Sequence, residues 1–236
     1  MSGRTGRYAC YCMTRNIYHK VIPSLKSLLM HADVDKVYLL TEDDDIGFWL
    51  PDCVEIINVR DQKFFPPDGP NYHNGWTWMV LMRLALFRVF PNLDRILSLD
   101  LDTIIEENIN ELWDTPMGDH YLAGAREPGK SGDGLYVNFG VILYNLKALR
   151  DCKGDEIIHA LNTQKYRFTD QDCGNALCKG RIYELSGAYN FSNYSNRCAY
   201  PKIRHFAAKG FWYENEPLVK KYLDIPWSDI LSEERN

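Results

Sequence analysis

Aspartate pairs with D-x-D spacing occur four times in this 236-residue chain, and each pair is a candidate for holding a cation. The pairs are Asp33/Asp35, Asp43/Asp45, Asp100/Asp102 and Asp170/Asp172. The first pair indicates a turn before a strand, and the second lies in an acidic loop that offers no anchor. The third follows an apolar strand directly, in the sequence RILSLDLDTII. Context therefore favours the third pair as the one that does chemistry.

The carboxylates of Asp100 and Asp102 are flanked by Leu99, Leu101 and Ile104. In such surroundings two neighbouring negative charges are costly unless a cation lies between them. Carboxylate oxygens are hard ligands, which suit Mg²⁺ or Mn²⁺. In a second interpretation no metal binds here, and the two aspartates cap the turn into residues 103–108. The segment predicts a divalent-metal site but does not exclude this structural role.

Two further polar residues stand where the sequence is otherwise apolar or small. Arg83 interrupts the apolar segment 76–90, and His205 ends the short segment KIRHF. An isolated arginine of this kind is ordinarily ion-paired or reaches the surface, and an isolated histidine is ordinarily structural. With an anionic ligand in the same crevice, Arg83 would instead clamp phosphate. The small residues after His205, followed by Lys209, would let the backbone approach a phosphate.

Strands alternate with helices through the first half of the chain. Apolar runs predict strands at 8–13, 37–40, 54–59 and 95–99, and helical spacing predicts helices at 21–32 and 76–90. The Pro-, Gly- and Asn-rich segment 64–74 predicts an exposed loop. A β-α-β-α-β order predicts a mostly parallel sheet with helices on both faces. Such sheets bind ligands beyond the carboxyl ends of their strands, where Asp100 and Asp102 lie.

The second half is less regular. Strands are predicted at 122–125, 141–144, 181–185 and 203–206, and a short helix at 217–222. Asp170 is suited to be the N-cap of a helix that runs through Lys179 and stops at Gly180. No repeat or linker divides the chain, which predicts a single α/β domain.

Composition excludes several classes of protein. The chain is 45% hydrophobic and 25% charged, as a soluble globular protein is. Its 27 Lys and Arg against 32 Asp and Glu give a net charge of −5, which argues against a nucleic-acid partner. No segment predicts a membrane span or a signal peptide. The seven cysteines form no CxxC, which favours reduced thiols and a cytoplasmic location.

Four segments, in order, resemble the motifs of the glycogenin-like retaining glycosyltransferases, glycosyltransferase family 8. They are RLALFRVFPNLDRILSLDLDTIIEENINELWD, YVNFGVILYNLKALR, FTDQDCGNALCKGRIYELSGAYNF and IRHFAAKGFW. The resemblance implies a GT-A fold, a Rossmann-like α/β domain over residues 1–236 with a less regular acceptor-side second half. It implies a nucleotide-binding half at 1–102, a donor-sugar and acceptor half at 103–229, and a tail at 230–236.

The resemblance also implies roles for individual residues. It assigns the metal, Mn²⁺ or else Mg²⁺, to Asp100, Asp102 and His205, and the catalytic role beside the donor sugar to Asp170 and Gln171. It assigns the UDP-sugar to Thr14, Asn16, Arg83, Asp100, Asn138 and Lys209. The chain departs from the family pattern at Ala208, which replaces a glycine, at Phe211, which stands in place of a lysine, and at Phe139, which replaces a smaller residue.

The implied activity is transfer of a hexose, glucose or galactose, from a UDP-sugar to a hydroxyl acceptor such as a glycan, with retention of configuration. Because the amide of Gln171 is a poor nucleophile, front-face departure of UDP is favoured over a covalent intermediate. Aromatic residues in 64–78 could stack on sugars, although packing is their commoner role. Three alternatives remain: a non-catalytic carbohydrate-binding relative, a metal-dependent phosphoryl or nucleotidyl transferase, and self-glycosylation on a tyrosine.

Overall fold

A computed structural model describes residues 6–127, 129–130, 134–192, 200–207 and 215–231. Its strands are β1 (Tyr8–Cys12), β2 (Lys36–Thr41), β3 (Val54–Asn58), β4 (Arg95–Leu99), β5 (Thr103–Ile105), β6 (Leu122–Arg126), β7 (Val137–Asn145), β8 (Ile182–Leu185), β9 (Phe191–Ser192) and β10 (Ile203–His205). Its helices are α1 (Val21–His31), α2 (Met79–Met82), α3 (Leu86–Val89), α4 (Leu146–Ala148), α5 (Gly154–Thr163), α6 (Thr169–Leu177), α7 (Pro217–Asp224) and α8 (Trp227–Leu231).

A seven-stranded sheet in the order β3-β2-β1-β4-β7-β6-β8 forms the centre of the molecule. β3, β2, β1 and β4 are parallel neighbours, and β6 pairs with β8 in parallel. β7 runs antiparallel between β4 and β6. A second sheet, β5-β10-β9, lies at the end of β4. The mostly parallel α/β architecture predicted from the sequence is therefore confirmed.

Alternate side chains of each central strand enter two different cores. Ala9 and Tyr11 pack with α1 on one face, whereas Cys10 between them packs with α2, α3 and α5 on the other. β4 divides in the same way, with Leu97 on the first face and Ile96 on the second. This period of two in a sheet covered on both faces explains why these strands are apolar almost throughout.

Two predicted segments differ from the structure. The predicted helix 76–90 is α2, a 3₁₀ turn at Arg83–Ala85 and α3 in succession, and Arg83 at the start of the turn pairs with Asp100 and Asp170. The segment 64–74 is a loop, but it is not fully exposed: Phe65 and Asn71 are each 1% exposed. The Asn71 amide donates to the backbone oxygens of Leu161 and Gln164, which anchors this loop to the end of α5.

No helix among the described residues is both long and apolar enough to cross a membrane.

Candidate active site

The candidate site lies at one edge of the central sheet, where β1, β2 and β4 end side by side. The antiparallel strand β7 begins at this same edge, and Asp100 N donates to Gly140 O at 2.8 Å. β10, from the second sheet, pairs His205 with Thr103 of β5. Residues from distant parts of the chain therefore meet where β4 ends, as expected for ligand sites in parallel sheets.

Asp100, Asp102 and His205 form a compact cluster, with one ligand atom from each lying within 4.8 Å of the others. His205 Nε2 is 3.2 Å from Asp102 Oδ1 and 3.6 Å from Asp100 Oδ2. The imidazole is buried, whereas the Asp100 and Asp102 side chains keep 32% and 22% of their surface exposed. The cluster therefore opens toward solvent on its carboxylate side, where a ligand could enter.

The charges within the cluster depend on one another. Burial raises the pKa of Asp100 despite the opposing effect of Arg83. For Asp102 burial acts in the same direction, but the charge and hydrogen bond of His205 outweigh it and lower the pKa. Burial would lower the pKa of His205, but Asp102 outweighs it and raises that pKa. Without a metal, the two carboxylates thus favour the protonated form of His205, and Arg83 provides a second positive charge beside Asp100.

A chain of hydrogen bonds orients His205 from behind. Its Nδ1 lies 2.9 Å from Oδ1 of Asn190, whose Nδ2 donates to Asn138 Oδ1 at 2.9 Å. Asn138 in turn donates to Glu127 Oε2 at 2.5 Å. Because an amide oxygen can only accept, Nδ1 carries a proton and Nε2 faces the carboxylates. This arrangement presents Nε2 as the ligand atom, as orienting partners of metal-bound histidines do.

Gly140 makes room for the imidazole. A Cβ at this position would overlap Cε1 of His205. The glycine of the N-F-G segment is therefore required by the close approach of His205 to β7.

Arg83 joins the cluster to α6. Its Nη1 donates to Asp100 Oδ1 at 2.7 Å and to Phe139 O at 2.9 Å, and its Nε lies 3.1 Å from Asp170 Oδ2. Burial disfavours the charge of Arg83, but Asp100 and Asp170 raise its pKa further than burial lowers it. A buried guanidinium between two carboxylates is the type of contact that holds side chains in fixed positions.

Asp170 is not the N-cap of its helix, contrary to the sequence prediction. Phe168 occupies that position, and α6 begins at Thr169, whose φ of 22° is unusual for a residue other than glycine. Asp170 is 4% exposed and faces Arg83, and burial raises the pKa of this carboxyl to about 6. The helix also ends earlier than predicted, since α6 stops at Leu177 rather than at residue 179.

Gln171 lies between β7 and the surface. Its Oε1 accepts from Phe139 N at 3.0 Å, and its Nε2 donates to the hydroxyl of Tyr136 at 3.3 Å. Tyr136 donates to Asp172 Oδ1 at 2.5 Å. The amide of Gln171 is thus held by two contacts on neighbouring residues, which fixes its direction.

The loop after β1 lies beside the acidic loop 42–45. The prediction that this acidic loop has no anchor is wrong. Asp43 forms ion pairs with Arg15 and Arg60 and accepts a hydrogen bond from Tyr18. The hydrogen bond from Arg15 is the main cause that lowers the pKa of Asp43 to about 2. A pocket of about 610 Å³ opens there, lined by Arg15, Tyr18, His19, Asp43, Asp45, Ile46, Gly47 and Phe48.

The remaining predicted ligand residues divide into two groups. Thr14 and Asn16 lie in this first loop and bond to each other, Thr14 Oγ1 donating to Asn16 Oδ1 at 2.8 Å. Lys209, Ala208 and Phe211 lie outside the described residues. The structure thus brings together Arg83, Asp100, Asp102, Asn138, Asp170, Gln171 and His205, whereas it leaves Thr14 and Asn16 in the neighbouring loop.

Asn190 and Tyr136 hold other site residues in place, and neither was assigned a role from the sequence. Asn190 lies near the end of the family-like segment FTDQDCGNALCKGRIYELSGAYNF, but nothing in that segment indicates a role for it. Tyr136 is the first residue of the family-like segment YVNFGVILYNLKALR. Both act through contacts between distant segments, which spacing along one segment does not reveal.

The chain belongs to glycosyl transferase family 8, whose model matches residues 10–209. It is 28% identical over 232 residues to glycosyltransferase GlyE of Streptococcus pneumoniae serotype 4, covering 88% of this chain and 53% of that protein. It is 29% identical over 127 residues to a putative glycosyltransferase of Haemophilus influenzae, covering 47% of this chain and 38% of the relative. The chain thus spans about half the length, or less, of these relatives.

Two solved structures have the same fold. The galactosyltransferase LgtC, in complex with donor and acceptor sugar analogs, matches with a TM-score of 0.72 at 17% identity and covers 95% of this chain and 100% of that one. The crystal structure of GlyE from Streptococcus pneumoniae TIGR4 matches with a TM-score of 0.73 at 22% identity, covering 98% of this chain and 63% of that one. The fold is that of the GT-A glycosyltransferases, and the family resemblance noted in the sequence is confirmed.

The donor atoms of the cluster fit a divalent metal ion. Two carboxylates and one imidazole, already within 4.8 Å of one another, need little rearrangement to share an ion. A mixed oxygen and nitrogen set suits Mn²⁺ better than Mg²⁺, which prefers oxygen ligands.

Proposed function

We propose that the chain is a metal-dependent retaining glycosyltransferase that moves a hexose, glucose or galactose, from a UDP-sugar to a hydroxyl group of a glycan. The observation that carries this proposal is the cluster of Asp100, Asp102 and His205 at the end of β4 in a family 8 fold. Mn²⁺ held there would neutralise the phosphates of the donor and the charge that grows on UDP as it leaves.

The residues of the chain have distinct tasks in this proposal. Asp100 and Asp102 present carboxylates on the open side of the cluster, and Asn190 keeps His205 Nε2 directed toward them. Arg83 holds Asp100 and Asp170 in fixed relation, so that the donor phosphates and the donor sugar meet a preorganised site. The first loop, with Thr14 and Asn16 beside the pocket at Arg15, is available for the base and ribose.

Retention of configuration is proposed from the family resemblance, and the identity and contacts of Gln171 bear on the route by which it would occur. A retaining hydrolase uses a carboxylate nucleophile, but the family-matched group expected on the far face of the donor sugar is Gln171, an amide held by Phe139 N and Tyr136. Front-face transfer needs no such nucleophile. The bond between the anomeric carbon and the phosphate breaks, the acceptor oxygen bonds to the same face, and its proton passes to a phosphate oxygen of UDP.

The test is a screen for release of UDP. UDP-glucose and UDP-galactose are each incubated with the protein, Mn²⁺ and a mixture of neutral and charged glycosides, with EDTA added in parallel. The proposal expects Mn²⁺-dependent release of UDP and an α-linked product from an α-linked donor, read from the anomeric proton by NMR. Release that persists in EDTA contradicts the metal assignment, and a β-linked product contradicts retention.

A cytoplasmic location, expected from the cysteine pattern, stays a prediction. The oligomeric state is left open by the contacts of a single chain.

A further inference from the structure

Three aromatic rings and two cations form a surface group next to Gln171, here called the rim patch: Trp76, Tyr136, Phe168, Lys130 and Arg167. The Trp76 and Phe168 ring centroids are 5.9 Å apart, and 58% of Trp76 is exposed. Lys130 Nζ lies 4.9 Å from the centroid of Tyr136 and 5.0 Å from that of Phe168. Arg167 Cζ lies 5.2 Å from the Phe168 centroid.

The rim patch is hydrogen-bonded directly to Gln171, one of the two residues with a catalytic role in the proposed function. The Tyr136 hydroxyl accepts from Gln171 Nε2 at 3.3 Å and donates to Asp172 Oδ1 at 2.5 Å. Phe168 N donates to the other oxygen of Asp172 at 2.8 Å. Phe168 also directly precedes the helix that carries Gln171. A molecule resting on these rings would lie beside the donor sugar.

An exposed tryptophan by itself needs no explanation, but this one packs against Phe168, and Lys130 joins Phe168 to Tyr136. Aromatic faces carry partial negative charge, and the C–H bonds on one face of a pyranose ring carry partial positive charge. Flat exposed rings therefore bind a sugar by its apolar face, while its hydroxyl groups stay in water or reach toward the site. Trp76 provides such a ring at the edge of the site, and Phe168 packs against it at an angle of 52°.

The two cations indicate the charge of the bound sugar. Among the described residues, neither Lys130 nor Arg167 forms an ion pair with a carboxylate. The neighbouring carboxylate, Asp172, is already occupied by Tyr136 and Phe168. This local positive charge stands on a chain whose net charge is −5. Contact with the rings holds the cations in place, where their N–H groups can pair with an anion.

We propose that the rim patch is the acceptor subsite and that the acceptor is an anionic glycan, an inference that rests on the proposed function. The terminal sugar stacks on the exposed ring of Trp76, and its carboxylate or phosphate group pairs with Lys130 and Arg167, which lie over the neighbouring Phe168 ring. One hydroxyl of this sugar faces the donor and forms the new bond to its anomeric carbon as UDP leaves with the proton.

The experiment measures UDP release at saturating Mn²⁺ and UDP-sugar with three probes: p-nitrophenyl glucoside, its 6-phosphate and p-nitrophenyl glucuronide. The rate without acceptor, which is hydrolysis of the donor by water, is recorded for every variant. We expect at least one anionic probe to have a KM about tenfold below that of the neutral glucoside, which is about 1.4 kcal/mol of binding. The better of the two anionic probes distinguishes phosphate from carboxylate.

Variants separate the ring contacts from the charges. We expect Trp76→Ala to raise the KM of all three probes about tenfold. The double change Lys130→Ala with Arg167→Ala should instead abolish the preference for the anionic probes. The controls are Trp49→Ala, an equally exposed tryptophan outside the rim patch, and Lys221→Ala, whose Nζ lies 5.2 Å from the Tyr222 ring on α7. Both controls should keep the wild-type KM values.

Three results would overturn the subsite: equal KM values for neutral and anionic probes, a Trp76→Ala variant that behaves like Trp49→Ala, or donor hydrolysis that no glycoside increases. Absence of UDP release from every UDP-sugar, even without acceptor, is a different result. It contradicts the proposed function itself, and with it any role for an acceptor subsite.

Discussion

Asn190 shows how one side chain outside the metal cluster can determine what the cluster binds. Its Oδ1 accepts from His205 Nδ1 at 2.9 Å, so the imidazole cannot rotate to offer the other nitrogen without losing this bond. The sequence identified His205 as a ligand candidate from its motif. The orienting role of Asn190 depends on β9 and β10 pairing in parallel, which no local pattern contains.

Replacing Asn190 by alanine should weaken Mn²⁺ binding by about 10- to 100-fold, because orienting partners of metal-bound histidines contribute that much to affinity. Asn190→Asp keeps an acceptor oxygen and should retain most of the affinity. Titration of Mn²⁺ followed by electron paramagnetic resonance measures this directly. Asn58→Ala, an exposed asparagine at the end of β3, is the control. Equal affinity in Asn190→Ala and wild type would refute the orienting role.

Asp170 makes stability depend on pH in the metal-free protein. Its folded pKa of about 6 lies above the ordinary 3.8, so the folded state holds this proton more tightly than the unfolded state. Its contribution to stability is therefore fully present below pH 4 and is lost as pH rises through 6. Relative to Asp170→Asn, which does not titrate, the wild type should lose about 3 kcal/mol of unfolding free energy over this window. Urea unfolding at pH 4, 5, 6 and 7 in EDTA measures the difference, and a constant difference would contradict the assigned pKa.

At the scale of elements, the position of α6 is set by its contact with β7. Gly174 of α6 faces Phe139 of β7, and a Cβ on this glycine would overlap the Phe139 ring. Phe139 is one of the positions where the chain departs from the family pattern, since it replaces a smaller residue. The structure places its ring against α6, 2% exposed. The close approach keeps Gln171 Oε1 within 3.0 Å of Phe139 N.

Gly174→Ala should lower the unfolding free energy by about 1–3 kcal/mol, the usual cost of overpacking a tight contact. Donor hydrolysis should fall as well, since Gln171 moves with α6. The matched control is Gly75→Ala, where an added Cβ meets nothing within 4 Å and stability should stay within about 1 kcal/mol of wild type. Chemical denaturation of both variants decides the matter: if Gly174→Ala is as stable as Gly75→Ala, the contact does not determine the position of α6.

Helices and strands were predicted correctly where a single hydrophobic periodicity ran through the segment. They were predicted wrongly where a polar side chain forms a contact with a distant residue. The parallel strands β1, β2, β3 and β4 came from apolar runs, because burial on both faces leaves that pattern. The apolar segment 76–90 predicted one helix. In the structure a 3₁₀ turn interrupts it at Arg83, whose guanidinium forms ion pairs with Asp100 and Asp170. Asp170 was predicted to be a cap because aspartate caps helices well, yet its carboxylate instead forms an ion pair with Arg83.

At the scale of the whole molecule, four distant motifs meet at one sheet edge. β4 brings Asp100, β7 brings Asn138, α6 brings Asp170 and β10 brings His205. The order of these motifs along the chain supported the family resemblance. Their contacts in space depend on the sheet order, in which β7 lies between β4 and β6. Because the site draws on elements from both halves, ligand binding should stabilise the entire fold.

UDP with Mn²⁺ should therefore raise the melting temperature. A ligand that binds only the folded state adds about 2.7 kcal/mol at 100 times its Kd, which corresponds to about 5–10 °C for a chain of this size. UDP or Mn²⁺ alone should shift it less, and ADP or GDP with Mn²⁺ should shift it less than UDP. Differential scanning fluorimetry measures all five conditions. Equal shifts with the three nucleotides would argue against a site that reads uracil.

The most direct test of the central claim is a calorimetric titration of UDP into the protein in the presence of Mn²⁺, for wild type, Asp102→Asn and Asp35→Asn. Asp35 belongs to another D-x-D pair, and its carboxylate accepts from Arg7 N before β2, at the opposite edge of the sheet. If Asp100, Asp102 and His205 hold the metal that binds the donor phosphates, Asp102→Asn loses the binding heat, while Asp35→Asn keeps the wild-type affinity. UDP affinity that is unchanged in Asp102→Asn would contradict the claim.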